Sequence, residues 1–238
     1  RLLTVTVDQQ AAEGGYRVWV VLAHGVDGQA HLVDRGTSHT MDDVWIAHIR
    51  DTFAHGDGGN PMQPHAASAD SGWDTKATYD FCNRHPGMLP CKGSAHDMGG
   101  VPYKIAPVEQ GEYKGQELFT VNTDFWETDL QARLDERLPG EPESLSMFAG
   151  AEHDEELLVH LCNGTLADKI DARGNARLLW IKKNESDPND YRDAIRYGLA
   201  LAMAYVAEND GYPPRSDTGT KAKAVLNHGQ KRPDGRKW

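Results

Sequence analysis

Three short β-type runs separated by glycine turns open the chain, and their spacing fixes its first layer. Leu2-Leu-Thr-Val-Thr-Val7 is rich in β-branched residues and ends at Asp8. Gly14-Gly15 turns into Tyr16-Arg-Val-Trp-Val-Val-Leu-Ala23, and Gly25 to Gly28 turns into His31-Leu-Val-Asp34. Parallel neighbours need a crossover of a dozen or more residues, so strands this close pair antiparallel, as a meander. Thr40-Met-Asp-Asp43 then reads as a capping-box variant opening an amphipathic helix with Val44, Trp45, Ile46, Ile49 and Phe53. Beyond the Gly56–Asn60 loop the pattern alternates. A strand ending near Ala69, a helix from Asp74 to His85 and a strand from Met88 to Lys92 are followed by Leu118–Val121 and a helix at Thr123–Leu138. Ser144–Phe148, a helix at Glu152–Leu161, a last strand at Arg177–Lys182 and a closing helix at Pro188–Glu208 complete the series. A meander followed by alternating strands and helices predicts an α/β fold built on a mixed sheet.

Several function classes are excluded at this level. The longest nearly apolar run, Tyr197 to Ala207, has 11 residues, short of the ~20 of a membrane helix. Three cysteines without a CxxC spacing argue against a disulfide scaffold and a zinc ribbon and fit a reducing cytosol. A chain that starts without Met and enters a strand at once reads as a piece of a longer polypeptide. The net charge of −11 is unevenly spread: residues 215–238 carry seven Lys/Arg against two Asp, a net of +5, which leaves −16 for residues 1–214. We therefore expect residues 1–212 to form one domain and 213–238 a basic tail without periodicity. An acidic body with a basic edge suits a protein that gathers cations and meets a polyanion, as well as one with a solvated surface and a passive tail.

Three carboxylates stand where chemistry could sit. Asp8 ends the first strand, where it either faces a site at the sheet rim or accepts backbone N–H bonds of the following turn. Asp70, in Asp70-Ser-Gly72, occupies another strand end; it either caps the next helix or is free of that task if Asp74 or Ser71 caps instead. Asp193 lies on the closing helix, opened by Ser186-Asp187-Pro188. Stepping from Asp193 by helical spacing reaches Tyr197, Ala200 and Ala204, so this carboxylate borders the stripe that packs on the sheet, with Arg192 and Arg196 on the neighbouring face. A buried carboxylate there needs a cation, either an Arg or a metal. Asp190 lies one turn earlier on a similar face. If these groups converge, two unit charges ~4 Å apart at an effective dielectric of ~20 repel by roughly 4 kcal/mol. Hard oxygen donors would then select two divalent cations, Mg²⁺ or Mn²⁺, which can hydrolyse a phosphodiester.

These residues also carry a resemblance. Thr4-Val-Thr-Val-Asp-Gln9 at the head of a meander is similar to the first acidic motif of the nuclease domain of large terminase subunits of tailed bacteriophages, the lambda-like GpA type above all. Asp70-Ser-Gly72 leading into Thr75-Lys-Ala-Thr-Tyr-Asp-Phe81 resembles the second motif. Lys92-Gly93 matches a later Lys-Gly, and Asn189-Asp-Tyr-Arg-Asp-Ala194 resembles the family's helix start, with Asp190 in place of Glu. The segment Pro102–Gln116 departs from the family pattern. The resemblance runs from Leu2 to Ala207. It implies an RNase H-like fold and two-metal cleavage of double-stranded DNA at Asp8, Asp70 and Asp193. It further implies an ATPase motor domain in the same polypeptide, a small terminase subunit and a portal or procapsid as partners, and action in the host cell cytoplasm. There is no GxxxxGK[ST] loop for ATP.

Other features read as ordinary. His153 and His160 are expected at the surface, while His65 and His96 stay open as neighbours of the site. Trp19, Trp45 and Trp180 read as core, Trp73 as loop packing or a cover for the site. Lys92, Lys182 and Lys183 at strand ends are either solvated or phosphate contacts. Two rivals remain at this level, a resolvase or transposase core and a non-catalytic docking module whose carboxylates only cap and pair.

Overall fold

Alternation along the first strand decides which side chains share a face. Leu3, Val5 and Val7 enter one core, with Val21, Ala67, Ala69 and Phe81, while Leu2 enters the other, with Val18, Val20, Leu22, Leu89 and Phe119. A strand covered on both faces is a central strand. The computed structural model describes residues 2–10, 15–49, 53, 61–94, 98–170 and 176–213. Its strands are β1 (Leu2–Gln10), β2 (Tyr16–His24), β3 (Ala30–Ser38), β4 (Ala66–Asp70), β5 (Met88–Ser94), β6 (Tyr103–Pro107), β7 (Glu117–Asn122), β8 (Leu145–Met147), β9 (Gly164–Ile170) and β10 (Ala176–Lys182). Its helices are α1 (Met41–Val44), α2 (Thr75–Arg84), α3 (Thr123–Asp135), α4 (Glu155–Cys162) and α5 (Asp190–Glu208).

Eight strands form one sheet in the order β6-β7-β5-β4-β1-β2-β3-β8. The β1-β2-β3 meander is antiparallel, β1-β4-β5-β7 is parallel, β6 closes one edge antiparallel and β8 the other in parallel. Met41 and Val44 of α1 with Phe81 and Cys82 of α2 cover one face. Trp126 and Leu130 of α3, Leu157 and Leu161 of α4 and most of α5 cover the other. The expected α/β architecture is present, and its mixed sheet between helices is consistent with an RNase H-like fold.

The differences have local causes. Thr40 caps as read, accepting the Asp43 N–H at 3.1 Å. The α-form nevertheless lasts only to Val44 and continues as a π turn over Trp45–Ile49. That wider turn carries the Trp45 ring against Phe81 and His85, and Phe53 leaves the helix to bridge Met62. β6 lies inside the Pro102–Gln116 segment. It escapes a hydrophobic-pattern reading because it follows Gly99-Gly100 and ends on a proline. β10 is not the last strand of the main sheet: it pairs with β9 in a separate two-stranded sheet, and the Trp180 indole N–H donates to Thr128 of α3 at 3.0 Å. The closing helix begins at Asp190 rather than Pro188. His153 is exposed, but His160 is buried, its Nδ1 accepting the Tyr191 N–H at 3.1 Å, which corrects its surface assignment.

A buried histidine couples this fold to pH. His24 contacts Thr4 Oγ1 at 2.8 Å, and burial, with the charge of Arg133 added, lowers its pKa to about 3. Folding therefore keeps it neutral, and the stability this gives is complete above its ordinary value of 6.5 and is lost as pH falls from there towards 3. At pH 5 the loss is about 2 kcal/mol. Urea unfolding at pH 7 and pH 5 should show His24→Gln losing about 2 kcal/mol less than the wild type over that interval; equal losses would show that His24 does not set this dependence.

Candidate active site

The parity that splits the cores also aims the acids. Thr4, Thr6 and Asp8 alternate with Val5 and Val7, so Asp8 points to the face covered by α5, where Thr6 Oγ1 donates to Ala194 O at 2.6 Å. The parallel β1–β4 register runs to Val7 opposite Ala69, which sets Asp8 and Asp70 next to one another on adjacent strands. β1 extends to Gln10, so Asp8 lies within the strand and not at its end. Asp74 caps α2 by accepting the Ala77 N–H at 3.0 Å, which leaves the Asp70 carboxylate free of that task. Gly72 is needed at the turn, because a Cβ there would lie 2.9 Å from Asp70 Oδ2.

α5 brings the remaining acids from above. Gly198 allows its close approach, since a Cβ would fall 2.5 Å from Leu22 Cδ1. Asp190 and Asp193 occupy the first turn, where the helix dipole favours negative charge. Asn189 does not cap with its side chain; it donates to Asp193 Oδ1 at 3.1 Å. Asp190 is buried and accepts from Tyr16 Oη at 2.8 Å. Asp8 takes Gln10 Nε2 at 2.6 Å, and Asp70 takes the Gly72 N–H at 3.1 Å and Tyr197 Oη at 3.5 Å.

The charges of Asp193, Asp70 and Asp190 act on Asp8, and those of Asp190 and Asp70 act on Asp193. Burial raises the Asp8 pKa well above the carboxylate range, and the charges of Asp193, Asp70 and Asp190 add to it. Asp193 is pushed up to about 6 by burial; Arg196 opposes this, while Glu127, Asp190 and Asp70 reinforce it. Asp70 is raised by burial, against the pull of the Gly72 N–H, Lys92 and Tyr197. The Tyr197 hydroxyl is held far above its usual range by burial and by Asp70, Cys91, Asp8 and Asp193 around it.

This set suits a hard divalent cation, being all carboxylate oxygen without thiolate or imidazole, and it carries excess negative charge. Among the described residues, however, no three Asp, Glu, His or Cys side chains stand gathered as a ready-formed metal cage. The expected alternative for Asp193, an arginine, is present: Arg196 pairs with it and with Glu127 of α3, and Glu127 also pairs with Arg192. Placing Arg192 and Arg196 on a neighbouring face missed that both are buried.

Of the other candidates, His65 accepts the Leu3 N–H at 3.1 Å at the opposite end of β1, away from the acids. Lys92 is exposed, and its charge acts on Asp70. The charge of Lys182 acts on His160, and Lys183 is exposed. Trp73 is 45% exposed beside Gly15 at the β1–β2 turn. His96, the Gly56–Asn60 loop and nearly all of the basic tail lie outside the described residues. Sequence reasoning did not single out Tyr197, Tyr16 or Glu127. Tyr197 carried a signal, since it lies four residues after Asp193 on the sheet-facing stripe; Glu127 carried none, because its partners are 65 and 69 positions away along the chain.

No helix among the described residues is long and apolar enough to cross a membrane. Comparison with curated proteins and with solved structures returns no match. A family model, terminase large subunit gpA, endonuclease domain, matches residues 1–211. That span takes in all four acids, the whole eight-stranded sheet and the helix that closes over it. The chain therefore belongs to the endonuclease-domain family of the terminase large subunit gpA.

Proposed function

We propose that this chain is a divalent-cation-dependent endonuclease that cuts double-stranded DNA concatemers during phage genome packaging. The observation that carries the proposal is that Asp8, buried on β1, feels the charges of Asp70 on β4 and of Asp190 and Asp193 on α5, in a chain of the terminase endonuclease-domain family. Asp8, on which the other three charges act, would hold the cations together with Asp70 and Asp193, and Asp190 would serve as an outer ligand. Bound there, two Mg²⁺ or Mn²⁺ ions would supply a water of lowered pKa and a counter-charge for the leaving oxygen. The chain's own part is to hold these oxygens in place: Gly72 N–H and Tyr197 orient Asp70, Asn189 orients Asp193 and Tyr16 orients Asp190. Lys92, Lys182, Lys183 and the tail of 213–238 would meet phosphates, fixing position without reading sequence. An acidic body binds DNA weakly alone, so affinity would come from an ATPase motor domain, a small terminase subunit and a portal or procapsid, in the host cytoplasm.

A plasmid assay tests this. Millimolar Mn²⁺ or Mg²⁺ should convert supercoiled DNA to nicked and linear forms, and chelator should stop it. Asp70→Asn and Asp193→Asn should each lose at least a hundredfold in rate with unchanged circular dichroism. Wild type that cuts with neither ion would instead leave a docking module whose carboxylates only cap and pair.

A further inference from the structure

Arg196 stands inside the acidic pocket with its guanidinium divided between two elements. Nη2 pairs with Asp193 on its own helix, and Nη1 lies 2.8 Å from Glu127 Oε2 on α3. The second contact is an ion pair without hydrogen-bond alignment, because Glu127 Oε2 has no hydrogen-bond partner among the described residues. Arg196 Nε likewise has none among the described residues, in a side chain only 9% exposed. A guanidinium built in as a permanent brace saturates its donors when buried, and this one does not.

Its neighbours, by contrast, are secured twice. Glu127 Oε1 takes Arg192 Nε, and Arg192 donates further to Leu161 O and to Gln131 Oε1. Asp193 keeps Asn189 at 3.1 Å. Both carboxylates thus retain a partner if Arg196 lets go of either. The influence of Arg196 also reaches Asp8: Asp193, Glu127 and Asp8 together hold it protonated, although burial opposes its charge.

We infer that Arg196 is an exchangeable counter-cation: it neutralises Asp193 while no divalent cation is held there, and withdraws to Glu127 alone when one is. This rests on the metal-dependent reading of the same pocket. A divalent cation on Asp193 would repel the guanidinium beside it, and Glu127, already 2.8 Å from Nη1, remains as a counter-charge for Arg196. The same arrangement fits acids whose charges act on Asp8 although no three such side chains gather as a cage among the described residues. Arg196 is in this view a positioning residue that sets how tightly the pocket takes its metal.

Mn²⁺ binding, read as the loss of the free-ion electron paramagnetic resonance signal, tests this without reference to cleavage. Wild type, D8N, R196Q, E127Q and R196Q/E127Q are titrated, with circular dichroism as the folding check. R196Q should bind Mn²⁺ at least tenfold tighter than wild type, because a unit charge competing at the site has gone. E127Q should bind several-fold weaker, because Arg196 then has nowhere to withdraw, and should have no further effect once Arg196 is replaced. An R196Q affinity equal to or below wild type overturns the inference, as does an E127Q effect that persists in the double variant. If R196Q does not fold, an E127Q affinity within twofold of wild type overturns it alone. Loss of binding in D8N keeps the metal-dependent reading standing in those cases. Mn²⁺ binding that is absent throughout, or indifferent to D8N, removes both.

Discussion

Asp8→Asn should abolish cleavage and at the same time make the protein harder to unfold in chelator. Asp8 is buried opposite Val18 of β2, and the charges of Asp193, Asp70 and Asp190 all act on it, while among the described residues Gln10 donates to it. Its folded pKa is raised above the ordinary 3.8, so the protonated form is the one that the fold favours. The stability linked to Asp8 is therefore complete below 3.8 and is lost as pH rises through the raised value, which makes the ionised group a cost at neutral pH. Asparagine keeps the shape and removes the charge. Roughly 1–2 kcal/mol of relieved repulsion would raise the melting temperature by about 5 °C for a chain of this size. The advantage should vanish below pH 4, where wild type is neutral at this position as well. Metal should reverse the order: at a hundred times its dissociation constant a cation adds about 2.7 kcal/mol to wild type, and asparagine forfeits most of that. Calorimetry at pH 7, with chelator and with Mn²⁺, and a plasmid assay expected to show at least a thousandfold loss, check both halves. A variant that melts below wild type in chelator would mean that the carboxylate is a structural acceptor.

The site was legible in the sequence where one element was enough to place a residue. The end of the first β-type run, the Asp70-Ser-Gly72 turn and helical stepping from Asp193 each single out one candidate carboxylate. A periodic pattern constrains the direction of a side chain before any partner is known. What pairs with the carboxylate across elements was not legible. Arg196 falls three residues from Asp193, as spacing allows, but whether it turns to solvent or inward is decided by Glu127 on α3. The buried place of His160 is decided in the same way by the backbone of Tyr191. β9, with Asp168 and Lys169 in it, lacks a hydrophobic alternation because it belongs to a two-stranded sheet rather than the core.

The buried ion network gives the largest stability effect, expected for Glu127→Ala. Glu127 is 5% exposed and lies between Arg192, at 1%, and Arg196, at 9%. Taking the carboxylate away leaves two guanidinium groups in the interior, with Asp193 as the remaining counter-charge on the Arg196 side. Removing one partner of a buried ion pair typically costs about 3–5 kcal/mol, because the charge left behind has already lost its water. For a chain of this length that is a fall of about 10 °C in melting temperature. Glu127→Gln should fall by less than half as much, since its amide oxygen still accepts from Arg192 Nε. The damage should also reach the acids, because Arg192 ties the first turn of α5 to Leu161 O and Gln131, and that turn carries Asp190 and Asp193. Glu127→Leu combined with Arg192→Met removes charge and counter-charge together. It should recover most of the stability, as apolar replacement of a buried pair commonly does. Urea unfolding of the three variants in chelator distinguishes the terms: a loss under 1 kcal/mol for Glu127→Ala would mean that water reaches both arginines. A double variant no more stable than Glu127→Ala would mean that packing, and not uncompensated charge, is what Glu127 supplies.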